Sequence, residues 1–592
     1  MRKTKIICTI GPATDKEKPM RLLIENGMDV ARLNFSHGDH ETHGKRIELI
    51  KKLRAEYRKP VAILLDTKGP EVRVKSFKGG SAELKEGGTF TLCMSDCEGD
   101  ETQVAVTYPK LAHELPRGTH ILLDDGLIEL VAEAVTEEAI RCRVVTGGEL
   151  KDNKSVNVPG IHLNMDYISE KDRADILFGI KNDVDYIAAS FCRSAADVLE
   201  IRKILEKNGG KLIQVIAKIE NEGGVNNIDE IIQVSDGIMV ARGDMGVEMD
   251  IVDLPRIQKL LIKKAYSAGK KVITATQMLD SMIHNPRPTR AEATDVANAV
   301  YDGTSAIMLS GETAMGKYPI ESLVTMSRIA VSTENNIHYK TRFNNSLPDH
   351  CASVTSAISH ATCSTAHSLG ASAIIAFTKS GRTARMVSSY RPAVPIIACS
   401  PSEKTFHQLA LSWGVCPVLA EEQENTDKLF EHAVELARTT GLVKHGEVVV
   451  ITAGVPIGVS GTTNTLKVHI VGNVLVKGTG YNNIAVSGPL CVCVDAKQAR
   501  ALFEPGDILV IPKTNNTMMD LLKEAAGIIT EQGGLDSHAA IVGLTLGIPV
   551  LCDAENATSI LKHGTTVTLD AARGMVYTGI PQACDGVLLT GN

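Results

Sequence analysis

The chain has 592 residues, with 63 Lys and Arg against 70 Asp and Glu, giving a formal charge of −7. Without an excess of cations it lacks the footprint of a nucleic-acid binder, and with aromatics at 4 % and Trp413 the sole tryptophan it offers no base-stacking platform. At roughly 150 residues per domain the length points to about four domains. The 13 cysteines are odd in number and include no C-x-x-C pair, which argues against a disulfide framework or a zinc site and for a reducing compartment. The apolar run Ile6–Ile10 ends at Gly11-Pro12, too short for a signal-peptide core, and nothing approaches a membrane span, so the expected address is cytoplasmic.

Eight short β-branched runs alternate with amphipathic stretches before residue 315: 5–11, 29–35, 61–67, 186–191, 212–220, 237–244, 271–277 and 305–312. Eight strand-helix repeats predict a closed (β/α)8 barrel, here spanning 1–68 and 166–340. The long gap after the third run carries alternating strand patterns and turn signals, which predict a small β domain over 69–165, inserted above the barrel's C-terminal face. The polar stretch HYKTRFNNSLPDH reads as a linker. An open α/β domain is expected over 341–475, and after a Gly-rich break a last segment over 476–592 mixes hairpin-like strands with one helix starting near Ser537.

The tips of the barrel runs carry the chemistry: Asn34 and Ser36, Asp66 and Thr67, Lys218 and Glu220, Arg242 and Asp244, Thr276, then Ser310 and Glu312. In a barrel these converge on one mouth. Wet strand ends are polar anyway, but that alone does not place a lysine between carboxylates after apolar runs. Glu220 and Asp244 are hard oxygen donors suited to Mg²⁺, and Lys218, with Arg32 and Arg73, makes a pocket for an anionic group. Phosphoryl transfer depends on that kind of charge neutralisation. Two other motifs carry less. The stretch 311–318 approaches a P-loop but has Tyr318 where a hydroxyl should bind metal, and His37, His40 and His43 read as an exposed helix face.

The motifs KIICTIGPA (5–13), ARLNFSHG (31–38), LDTKGPEVR (65–73), SEKD (169–172), AKIEN (217–221), MVARGDMGVE (239–248), TATQML (274–279), NPRPTRAEATDVANAV (285–300) and SGETAMGKYP (310–319) resemble the pyruvate kinase family in sequence and order. The resemblance covers about residues 1–475. It implies transfer of the phosphoryl group of phosphoenolpyruvate to ADP, giving pyruvate and ATP in the last step of glycolysis, with Mg²⁺ (or Mn²⁺) and K⁺ as cofactors and a homotetramer as the expected assembly. By resemblance Lys218 stabilises the transferring group, Glu220 and Asp244 hold Mg²⁺, and Arg32, Gly243, Asp244 and Thr276 bind substrate. Asn34, Ser36, Asp66 and Thr67 match the potassium site, and Glu71 the residue associated with needing that cation. Arg73, His37, Asn34 and Lys154 match nucleotide-binding positions, although the family often has Lys-Gly-Val-Asn where this chain has Lys154-Ser155-Val156-Asn157. The adjacent hydroxyls of Thr276 and Ser310 are expected to position a water that protonates the enolate.

Thr378-Lys379-Ser380-Gly381-Arg382-Thr383, between a strand and a helix, suits a phosphate, and in the family this loop binds a phosphorylated activator. The segment VPIGVSGTTN (455–464) lacks the Trp and Arg of some fructose-bisphosphate-activated members, which favours a sugar monophosphate or AMP. The tail, Gly533 to Val542 followed by Gly547-Ile548-Pro549, resembles the swivelling phosphohistidine domain of phosphoenolpyruvate-utilising enzymes, with His538 at the phosphorylated position. Asp536 stands where that family usually has Thr and would repel a phosphate, so a structural or regulatory module is favoured over a phosphocarrier. A relay working mainly through His538 and an idle regulatory homologue are the competing readings of the whole chain.

Overall fold

The computed structural model describes residues 1–161, 163–345, 353–423, 425–455, 463–472 and 474–578. Eight parallel strands, β1 (Lys5–Thr9), β2 (Val30–Asn34), β3 (Ala62–Asp66), β4 (Tyr186–Ala189), β5 (Gln214–Ile219), β6 (Gly237–Ala241), β7 (Lys271–Ala275) and β8 (Ala306–Leu309), close into a barrel in sequence order. Both faces of each strand are covered, which is why they read as unbroken apolar runs rather than alternating ones. On β5, Val215, Ala217 and Ile219 pack outward against the helices, and Ile216 packs into the barrel interior. The interior is filled by side chains such as Ile7, Leu64, Met239 and Ile273, so the barrel is a packed core and not a pore.

Between β3 and β4 lies a six-stranded sheet with Thr89–Cys93, Ile128–Val135 and Ala139–Thr146 at its centre, together with a two-stranded ladder of Ser81–Leu84 and Gly148–Lys151. Its core contains Phe90, Ile121, Leu130 and Ile140. The polar stretch expected to be a linker forms a helix, Tyr339–Asn345, whose Tyr339 and Phe343 are buried one turn apart. Tyr339 packs against Trp413 with ring centroids 5.2 Å apart. Residues 346–350 of that stretch lie outside the described residues.

A five-stranded sheet follows, ordered Val415–Leu419, Ile396–Ser400, Ala373–Phe377, Val448–Ala453 and Thr465–Ile470. The chain divides into two compact units, residues 1–363, 376–424 and 452–465 in the first and 364–375, 425–451 and 466–592 in the second. Within the first, the segment after Ser402 closes the N-terminal end of the barrel. The Tyr186 hydroxyl donates to the Gln408 carbonyl, and Ala410 and Leu411 join the interior cluster.

The second unit contains an eight-stranded mixed sheet. It holds more helix than the single one expected: Ala496–Leu502, Met519–Glu524 and Ala557–Ile560 accompany His538–Leu546. Parallel pairing of Leu490–Val492 with Ile508–Val510, and of Ile508–Ile511 with Gly527–Thr530, requires those helical crossovers.

Candidate active site

Strand parity builds the site. Side chains two residues apart share a face, so Lys218 follows Ile216 into the barrel, Asp66 follows Leu64, Arg32 follows Val30 and Ser190 follows Ala188. Lys218 Nζ lies 2.9 Å from Glu220 Oε1, 3.2 Å from Asp66 Oδ1 and 2.9 Å from Ser190 Oγ. Arg32 donates through Nε to Asp66 Oδ2 at 2.6 Å and through Nη1 to Thr9 Oγ1 at 2.9 Å. Two cations face two carboxylates, all buried, and that balance is what makes the layer tolerable. Burial would discharge Lys218, but the Asp66 and Glu220 carboxylates outweigh it and hold the ammonium well above its ordinary pKa.

Glu220 Oε2 accepts the Phe191 N–H at 2.5 Å. Burial pushes its carboxyl up, and the charge of Asp244 adds to the effect. Asp244 sits in the short helix Arg242–Glu248 that starts where β6 ends. Among the described residues no group of three or more His, Cys, Asp or Glu side chains is placed to hold a metal ion. Two hard carboxylates that repel each other fit Mg²⁺, which takes one or two carboxylates and completes its shell with substrate oxygens.

The third part of the mouth comes from β6 to β8. The Gly243 N–H donates to Thr276 Oγ1 at 2.8 Å. Thr276 and Gln277 have φ of +69° and +52°, left-handed conformations that non-glycine residues rarely adopt. Arg242 holds them there, with Nη2 on the Thr276 carbonyl at 2.6 Å and Nη1 on Asp295 Oδ2 at 2.6 Å. On the adjacent strand, Ser310 Oγ is buried without a hydrogen-bond partner, while its backbone N–H is anchored by Glu312 Oε2 at 2.7 Å.

Asn34, Asp66 and Thr67 gather at the paired tips of β2 and β3, with the Ser36 N–H on Asn34 Oδ1 at 3.1 Å. Arg73 Nε meets Glu71 Oε2 at 2.8 Å. Burial, followed by the charges of Arg73 and Arg32, lowers the His37 pKa. Lys154 is next to Arg73 through its backbone, but its ammonium pairs with Asp124 Oδ1 at 2.7 Å and so is engaged inside the inserted sheet. A cleft of about 390 Å³ opens between this sheet and the barrel, lined by Glu71, Asn157, Phe191, Asn221 and Glu248 among others. Lys218 is not part of its lining, although Phe191, whose N–H binds Glu220, is.

The three histidines do not form an exposed helix face. His43 is buried and stacked on Phe35 with centroids 4.1 Å apart, His40 binds Asp175 at 2.7 Å, and His37 precedes the helix His40–Glu56. The stretch 311–318 forms one short helical turn, Gly311–Ala314, after β8.

In the loop 378–383, Gly381 has φ +77° and leads into the helix Arg382–Ser389, whose first turn has no side-chain cap. Lys379 and Ser380 are exposed, Lys379 Nζ pairing with Glu422 at 2.8 Å, while Thr383 is buried against Thr463 at 2.7 Å. Residues 456–462 lie outside the described residues. In the second unit His538 opens the helix His538–Leu546, with Nδ1 2.9 Å from Thr514 Oγ1 and Nε2 2.9 Å from Asn516 Oδ1.

Ser190 is the contact that the sequence reading missed. It is the penultimate residue of the run YIAASF, and the parity signal that would have found it is its spacing of two from the inward Ala188.

A closed parallel barrel with a buried lysine between carboxylates at its mouth defines a (β/α)8 enzyme of anionic substrates. Family models for "Pyruvate kinase, barrel domain", "Pyruvate kinase, alpha/beta domain" and "PEP-utilising enzyme, mobile domain" match residues 1–323, 356–469 and 503–574. A pyruvate kinase of Geobacillus stearothermophilus is 52 % identical over 580 residues, covering 98 % of this chain and 99 % of the relative. One from Sporosarcina psychrophila is 49 % identical over 581 residues, covering 98 % and 99 %. A crystal structure of a pyruvate kinase from Cryptosporidium parvum superposes with a TM-score of 0.74 at 38 % identity, over 79 % of this chain and 96 % of that one. The chain belongs to the pyruvate kinase family.

Proposed function

We propose that the chain transfers the phosphoryl group of phosphoenolpyruvate to ADP, and that the observation carrying this is the Lys218 ammonium held between Asp66 and Glu220 at the barrel mouth. A permanently charged group there stabilises negative charge on the phosphoryl oxygens as they leave the enol. Arg32 and the Gly243 N–H, beside Thr276, orient the substrate. Glu220 and Asp244 would hold Mg²⁺, which supplies further neutralisation of phosphate charge. Asn34, Ser36, Asp66 and Thr67 would hold K⁺ with neutral and anionic oxygens. Arg73, His37 and Asn34 line the nucleotide side, and Lys154 reaches it on release from Asp124.

Loss of the phosphoryl group leaves an enolate that must gain a proton at carbon. The unpartnered Ser310 hydroxyl and the Thr276 hydroxyl, which follow the ends of the paired strands β8 and β7, support those two residues as the ones that position the proton source.

The uncapped turn at Arg382, preceded by exposed Lys379 and Ser380, supports an effector site for a sugar monophosphate or AMP. For the last domain a structural or regulatory role is favoured, because both ring nitrogens of His538 are engaged by neutral partners. A cytoplasmic homotetramer is the proposed setting. The domains are proposed as barrel 1–68 and 166–340, insert 69–165, α/β domain 341–475 and mobile-like domain 476–592.

The test is a coupled assay of pyruvate formation from phosphoenolpyruvate and ADP, with and without Mg²⁺ and K⁺. Turnover that requires both nucleotide and Mg²⁺ supports the reading, and no turnover under any combination refutes it. Acid-labile, phosphoenolpyruvate-dependent labelling of His538 would overturn the role given to the last domain.

A further inference from the structure

The inward positions at the N-terminal end of the barrel are unusually polar. Lys271 opens β7 and Gln214 opens β5, and both point inward by the same parity that directs Lys218 to the opposite mouth. Facing them, the helix Arg382–Ser389 presents Arg382, Arg385, Met386 and Ser389, spaced as one face. Between them lies a cavity of about 330 Å³. All of these residues belong to the first unit.

Five cations line that cavity: Lys270, Lys271, Arg382, Arg385 and Arg391. The carboxylate in its lining is Asp236, which Arg202 Nη2 already occupies at 2.8 Å. Lys271 has compensation, since it donates to Gln214 Oε1 and lies 5.1 Å from the Tyr186 ring centroid. Arg391 also has some: its Nη2 donates to the Gly303 carbonyl and Ser305 Oγ, and its guanidinium lies 4.6 Å from the Trp413 ring centroid. Even so, Arg391 Nε and Nη1 make no hydrogen bond, although the residue is only 5 % exposed.

Arg385 is the extreme case. Its Nη1 is buried with no hydrogen-bond partner, and among the described residues no carboxylate stands within ion-pair distance of it. A buried guanidinium is ordinarily held by a paired anion. With four further cations around the same space, the unmatched positive charge is a property of the cavity and not of one side chain.

We propose that this cavity is a second anion site, bordering the loop 378–383 at Arg382 but distinct from its exposed Lys379 and Ser380, taking a small phosphate monoester whose phosphoryl group is bound by Arg385 with Lys271 and Arg391. Its volume lies at the lower end of the roughly 300–1,000 Å³ typical of small-molecule sites, larger than a bare phosphate needs. Tyr266 and Trp413 provide apolar lining for the carbon part of the ligand. Burial, followed by repulsion from Arg385, lowers the Lys271 pKa to about 7, a shift that a bound anion opposes.

Trp413 reports on the cavity without labelling, because it is the chain's sole tryptophan and lines the cavity wall. The experiment uses the full chain carrying Ser380→Asp, which closes the 378–383 loop to phosphate by like charge. Tryptophan emission is followed while ribose 5-phosphate or inorganic phosphate is titrated at constant ionic strength. A saturable change is expected, with ribose 5-phosphate binding more tightly than inorganic phosphate. Arg385→Met should weaken it by about tenfold or more, Arg385→Lys by less, as expected for loss of a bidentate charge-assisted contact. Retained pyruvate formation and thermal midpoint in the Arg385 variants show that the fold persists. The proposal is overturned by the lack of a saturable response to either probe, or by affinity that Arg385→Met leaves unchanged. Equal affinity for the two probes would overturn the assignment of an ester.

Discussion

Ser190 Oγ lies 2.9 Å from Lys218 Nζ, bridging the ends of β4 and β5, and it also donates to the Thr67 carbonyl at 2.6 Å. The serine therefore fixes the direction of the ammonium without carrying charge itself. Hydrogen bonds to charged groups contribute about 1.5–3 kcal/mol, so Ser190→Ala is expected to lower kcat by roughly 10–100-fold. Steady-state kinetics should show kcat falling while KM for phosphoenolpyruvate changes little. A change in KM alone would assign Ser190 to substrate binding.

The loop before Arg382 should respond to charge. Ser380→Asp places a carboxylate where the uncapped N–H groups of the helix Arg382–Ser389 would meet a phosphate. Activation by AMP or ribose 5-phosphate should disappear while basal turnover persists, measured as velocity against effector concentration. Activation that survives the substitution would move the effector elsewhere.

Lys271 makes stability depend on pH. Its folded pKa, about 7, lies below the ordinary lysine value of 10.5, the largest cause being burial, with Arg385 and Lys270 acting in the same direction and Asp236 opposing. Between those values the unfolded chain binds more protons, so this residue's contribution to stability rises with pH through that window and is lost as pH falls through about 7. Lys271→Met removes the dependence. Its thermal midpoint should exceed the parent's most at about pH 6.5, with the gap narrowing by about pH 8.5.

Leu411 is fully buried in the cluster that closes the lower end of the barrel. Leu411→Ala should cost about 2–5 kcal/mol through lost burial and a cavity. Because a chain of this size is prone to unfold irreversibly, the readout is the half-life of activity on heating, which should shorten. An unchanged half-life would show that this contact forms no part of the barrier to unfolding.

The barrel was legible because each of its strands is apolar on both faces and ends in a polar tip, so period and chemistry changed together along the chain. Lys218 and Glu220 stood out for the same reason. Ser190 did not, because one serine after YIAA looks like any strand end until parity is applied from Ala188. The helix Tyr339–Asn345 was hidden by its composition: its core face is only Tyr339 and Phe343, set among polar residues. Lys271, Arg385 and Arg391 were invisible as a group, since about 120 residues separate the first from the other two and only the closing of the barrel's lower end brings them together.

The central claim is that the Lys218 ammonium between Asp66 and Glu220 stabilises the transferring phosphoryl group. Lys218→Met tests it most directly, read in two assays on the same preparation. One measures pyruvate formation from phosphoenolpyruvate and ADP, and the other measures exchange of the methyl protons of pyruvate with solvent. The account predicts that the first is abolished and the second retained, since the proton-positioning hydroxyls of Thr276 and Ser310 remain in place. Retained phosphoryl transfer, or loss of both activities in a chain whose thermal midpoint is unchanged, would contradict it.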